Sequence, residues 1–96
     1  MTQLWLGRRF QLNERGHYEV WGNSRGERIS VEVDSGFVDR KAGDPEMLLL
    51  KMHGNIQRAA RKKWAAGEAT RVLHAFSGRL NHHRVTLSTE ELRASG

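Results

Sequence analysis

The chain has 96 residues, 38% of them hydrophobic and 28% charged, with a net charge of +5 and no cysteine. That length supports a single domain, 1–96, with one modest core, and the composition argues against wholesale disorder. Without cysteine there is neither a disulfide framework nor a thiolate metal site, which fits a reducing cytoplasm.

No apolar run approaches the roughly 20 residues that cross a bilayer. The opening MTQLWLGRRF puts apolar residues before its arginines, the reverse of a secretory signal. The expectation is a soluble, cytoplasmic protein with no membrane partner.

In chain order, the first third reads as antiparallel strands. Leu4, Leu6, Phe10 and Leu12 share one parity, as one face of a pleated strand requires, with Gly7 as a bend or bulge. Residues 13–16, Asn-Glu-Arg-Gly, predict a turn with Gly16 at positive φ. Tyr18 and Val20 then alternate with Glu19 and Trp21. The glycine-rich 22–26 predicts a loop, and Ile29, Val31 and Val33 alternate with Arg28, Ser30 and Glu32. A polar connector follows at 34–43, in which Phe37 and Val38 plug the edge between sheet and helix.

The stretch 44–66, DPEMLLLKMHGNIQRAARKKWAA, predicts one long helix. Asp44 can accept from its free N–H groups, Pro45 fits its first position, and Glu46 suits its positive end. Leu48, Leu49, Met52, Ile56, Ala59, Ala60 and Trp64 form an apolar stripe, while Lys51, Arg58, Arg61 and Lys62 fall on the other side. Gly54 lies on the polar side, Gly67 is the stop, and Lys63 lands inside the apolar stripe and must snorkel. Ala69, Val72, Leu73 and Phe76 predict a second, short helix over 68–77, capped by Gly78. Residues 79–83 read as a loop, Arg84–Leu87 as a short strand, and Ser88 with Glu91 as a capping box opening a final turn through Leu92.

The fold class expected is α+β: a small antiparallel sheet of two to three N-terminal strands plus a short C-terminal strand, packed on one long and one short helix. The pieces YEVWG, ERISVEV, NIQRAARKKWAAGE and HRVTLSTEEL, in that order, resemble a family of small bacterial proteins of unknown function that run hairpin, helical segment, terminal strand and acidic turn. The chain departs from that pattern at 69–82, where such proteins pass more directly from helix to strand. The resemblance implies no activity, cofactor or site residue.

Catalytic and metal chemistry find no pattern. His17, His53 and His74 fall on separate elements, and His82 and His83 would point to opposite sides of a strand. The serines lie in no GxSxG context, the adjacent Glu90 and Glu91 diverge on a helix, and no loop has the phosphate-cradling Gly-Lys-Ser/Thr pattern. The expectation is a non-enzyme without catalytic residues, metal or cofactor.

Charge is the remaining signal. Residues 1–43 carry a net +1 and residues 44–96 a net +4, and between positions 51 and 84 eight basic residues accompany a single acid, Glu68. Such asymmetry attracts polyanions or an acidic protein surface. The first reading is binding to the DNA or RNA backbone through Lys51, Arg58, Arg61, Lys62, Lys63, Arg71, Arg79 and Arg84. A variant uses the outward sheet residues Arg9, Gln11, Trp21, Arg28 and Ser30, although Glu19 and Glu32 on that face repel phosphates. The alternative is a protein-interaction module: an accessory subunit, adaptor or small inhibitor that docks on an acidic partner or forms a homodimer. It is anchored by Trp5 and Trp21, which are out of parity with the inward residues.

Overall fold

Alternating apolar residues lay down the sheet. In the computed structural model, which describes residues 3–34, 36, 38, 43–72 and 82–94, strands β1 (Trp5–Leu6) and β2 (Gln11–Leu12) both pair antiparallel with β3 (Tyr18–Ser24). The chain bends between β1 and β2 at Gly7, whose N–H still donates to the Trp21 carbonyl at 2.8 Å. Asn13 builds the next turn: its side-chain oxygen accepts from the Arg15 and His17 amides, and Gly16 takes a φ of 78°. β3 folds back into β4 (Glu27–Val33) through Arg25 and Gly26, with φ values of 51° and 84°, the positive-φ pair that suits a two-residue hairpin.

Gly22 therefore belongs to β3 rather than to the predicted loop. β1 approaches so closely there that a Cβ would collide with the Trp5 carbonyl oxygen and lie 2.8 Å from a Leu6 methyl.

The far half of the sheet departs from expectation in two ways. β6 (His82–Leu87) pairs with β4 in parallel, so the sheet is mixed. The chain leaves β4, crosses through the helical layer and returns in the same direction, which a hairpin cannot achieve. The second departure is at residues 70–72, predicted as helix, which form strand β5 (Thr70–Val72), antiparallel to β6. Gly67, at a φ of 74°, ends the preceding helix, and β-branched Thr70 and Val72 then find a strand edge to pair with. His82 and His83, predicted in a loop, are the first residues of β6. The strand order is β1-β3-β4-β6-β5, with β2 also on β3. The remainder of the predicted helix and loop, including Leu73, His74, Phe76, Gly78 and Arg79, lies outside the described residues, as does Phe37.

Helices cover one face. The predicted helix over 44–66 is two: α1 (Pro45–Lys51) and α2 (His53–Ala65). Asp44 caps α1 by accepting from the Glu46 amide at 3.0 Å. The interruption is at Met52, with φ −95° and ψ 11°; its N–H still bonds to Leu48 and Leu49, and its carbonyl starts α2 by accepting from Ile56 at 2.9 Å. It falls two residues before Gly54, where helix propensity is weakest. α3 (Thr89–Ala94) runs past Leu92 and opens with the predicted capping box: the Ser88 hydroxyl accepts from the Glu91 amide at 3.2 Å and the Glu91 carboxylate accepts from the Ser88 amide at 3.1 Å.

The core lies between the layers. Val20, Val31 and Val85 stand opposite one another across three neighbouring strands, flanked by Val33 and Leu87, and all five are buried. Leu49 from α1, Ile56, Ala59 and Ala60 from α2 and Leu92 from α3 close over them, with Leu4, Leu6, Phe10 and Val38 at one margin. Leu12, expected inward by parity, is 61% exposed. Replacing fully buried Ile56 with Ala removes three methyl(ene) groups under the helix and should lower unfolding free energy by about 2–5 kcal/mol. Urea denaturation of the variant beside the parent chain measures that loss.

Candidate nucleic-acid interface

The helical layer distributes its cations over several surfaces. His53, Gln57 and Arg61 recur every four residues on α2 and so line one stripe. Each meets backbone of the N-terminal segment: His53 Nε2 lies 2.8 Å from the Gly7 carbonyl, Gln57 accepts from the Leu6 amide at 3.2 Å, and Arg61 Nε donates to the Leu4 carbonyl at 2.9 Å. The Leu6 amide and the Leu4 carbonyl lie on the side of β1 turned away from β3. Arg61 thus closes a sheet edge, and its guanidinium also sits 4.7 Å over the Trp5 ring.

Lys63 is committed as well. The predicted snorkelling takes a specific form: its ammonium reaches β6 and α3, donating to the Thr86 carbonyl and pairing with the Glu91 carboxylate at 3.0 Å. Burial acts to raise the Glu91 pKa, but the bonds from Lys63 and from the Ser88 backbone and hydroxyl outweigh it and hold the group below its ordinary value of 4.5.

Arg84 lies on the other face of the sheet. It stands in register with Ser30 and approaches fully buried Glu32 at 3.8 Å. Glu32 also accepts from Asn13 at 2.6 Å and from the Thr86 hydroxyl at 3.1 Å, and pairs with Arg15 at 3.3 Å. The turn at 13–16 is thereby tied across the sheet to β6. The Ser30 hydroxyl and Arg84 Nε are buried there without a hydrogen-bond partner among the described residues. Ser30 and Glu32, expected on the outward face, are buried, whereas Arg9, Gln11 and Arg28 are exposed. Trp21 is half-buried rather than an exposed anchor, with the Arg28 guanidinium 4.7 Å over its ring and the His82 ring 4.8 Å away edge-on.

What remains outward is smaller. Lys51, Arg58 and Lys62 are exposed on the α1–α2 layer. Arg58 and Lys62, four residues apart, share one stripe of α2, while Lys51 ends α1 on the other side of the break at Met52. Lys51 and Lys62 make no ion pair among the described residues, and Arg58 donates to Asn55 of its own helix. Arg71 is exposed on β5, opposite His83, away from that stripe. Arg79 is outside the described residues. Trp5 is 62% exposed, as its parity predicted.

Of the eight basic positions, Lys51, Arg58 and Lys62 are exposed on the helical layer, Arg61, Lys63 and Arg84 bond to distant parts of the chain, and Arg71 is exposed on β5. Sequence reasoning passed over Arg8, which is exposed beside Arg9 at the bend after β1; no motif singled it out. Among the described residues, no three His, Asp or Glu side chains converge to hold a metal ion, and no helix is long and apolar enough to cross a membrane. No family model, curated protein or solved structure matches this chain.

The lowered Glu91 pKa carries a pH dependence with a definite sign. A carboxylate whose pKa falls on folding adds stability above its unfolded value and loses it as pH drops through the folded one. Glu91→Gln should therefore be less stable than the parent at about pH 7, and the gap should close as pH falls well below 4.5. Thermal unfolding of both chains across that range reads the difference.

Proposed function

We propose that this chain is a non-catalytic binding protein that contacts the phosphate backbone of DNA or RNA through Lys51, Arg58 and Lys62. The observation that carries the reading is the exposure of these three cations on the α1–α2 layer, with no acidic residue between Glu46 and Glu68 in the sequence. Phosphate contacts need positive charge at workable spacing and little else, so affinity comes largely from counterion release. Lys62 also lies in the last turn of α2, where a cation suits the negative end of the helix dipole. Arg61, Lys63 and Arg84 bond to distant segments of the chain and are less exposed, so the reading rests on the three exposed cations of the helical layer.

A second reading, docking on an acidic protein, is favoured by exposed Trp5 with Arg61 stacked on its ring. Aromatic and arginine side chains together make strong interface anchors.

Salt separates the two. Three phosphate contacts should weaken binding about 40-fold between about 50 and 200 mM salt, whereas a tryptophan-anchored interface changes little. Replacing Lys51, Arg58 and Lys62 together with Ala should leave the circular dichroism spectrum intact and abolish binding to short DNA and RNA in fluorescence anisotropy. Unchanged binding by that variant defeats the reading.

A further inference from the structure

α1 has an exposed flank that neither the core nor the basic stripe uses. Between it and the bend after β1 runs an open groove of about 470 Å³. Phe10, nearly buried, is its floor, and Met47 and Leu50, 55% and 40% exposed, form one wall. Large apolar side chains left exposed together beside such a floor mark an interaction surface.

The charges around this groove are of both signs. Arg8 and Arg9 line one part of it, and Asp44 and Glu46 another, yet none of the four makes an ion pair among the described residues. A surface that carries unmatched charges of opposite sign beside an apolar centre is complementary to itself. Under two-fold symmetry, residue i of one copy meets residue j of the other and the reverse holds too. An axis through the Met47–Leu50 wall lets the arginines of each copy face the carboxylates of its partner, with the apolar residues meeting between them.

We propose that the groove between α1 and residues 8–10 is the self-association surface of this chain, and that its occupant is a second copy. Pairing Arg8 and Arg9 with Asp44 and Glu46 across the interface fixes the orientation, because the opposite alignment sets like charges together. Standard interfaces use about 20–30 residues a side, more than this face offers, so the dimer is weak, with half-dissociation at about 10–100 µM. This surface shares no residue with the proposed nucleic-acid contact, and each can fail without the other.

Sedimentation velocity of the full chain from about 1 µM to about 1 mM tests it. The wild type should pass from monomer to dimer across that range. Glu46→Lys and the double variant Arg8→Glu/Arg9→Glu should each weaken association at least about tenfold, the equivalent of a lost charge pair. In the mixture one set of pairs is native and the other sets the introduced lysine against the introduced glutamates, so mixed dimers should form at lower concentrations than either variant's own dimers, a rescue that misfolded chains cannot give. A wild type that stays monomeric throughout overturns the proposal and leaves the groove to a different protein. Dimers that survive both variants, or a mixture that fails to recover, overturn it equally.

Discussion

The seam between α2 and the first strand is the contact on which the rest of the arrangement depends. β1 is two residues long and pairs on one side with β3, so its other side would present bare backbone to solvent. Gln57 and Arg61 meet that side, and His53 meets the carbonyl of Gly7 just beyond. Each such bond adds roughly 1 kcal/mol net, and the charge-assisted one from Arg61 somewhat more. Besides this energy they tie α2 to the sheet edge. The same helix carries Ile56, Ala59 and Ala60 into the core and leaves Arg58 and Lys62 exposed.

A second tie operates on the opposite face. Glu32 is fully buried, and an uncompensated carboxylate there would be very costly. Asn13, Arg15, Thr86 and Arg84 supply the compensation, drawing the turn after β2 and strand β6 to the middle of the sheet. The parallel pairing of β4 with β6 depends on residues far apart in the chain, and Glu32 and Thr86, opposite in register, share a hydrogen bond across it. Basic side chains thus stabilise the fold on both faces, which leaves the net positive charge less available than a count suggests.

Local signals were legible. Asp44 and Pro45 announced α1, Gly67 the end of α2 and Ser88 with Glu91 the start of α3, because each acts through bonds within one turn. The parity of Val20, Val31 and Val33 announced the buried face for the same reason. The break at Met52 was not legible, since the apolar stripe continues through it. Nor was β5: Ala69 and Val72 fit a helical spacing as well as a strand, and only β6, ten residues later, decides between them. The candidate site suffered most. Arg61, Lys63 and Arg84 look like the other basic residues in sequence, and their partners are 57, 28 and 52 residues away. Long-range pairing of this kind has no local pattern, so the charge map could not separate these residues from exposed ones.

The central claim is that the fold sorts its cations into those that bond to distant parts of the chain and those exposed on the helical layer, where the proposal places nucleic-acid contact. Nuclear magnetic resonance of the ¹⁵N-labelled chain, as a short DNA duplex is added at low salt, tests this most directly. The account predicts that resonances of Lys51, Arg58 and Lys62 shift, while the Nε–H signals of Arg61 and Arg84 keep their positions. Movement centred on Arg84 and Trp21, or no movement at all, would contradict it.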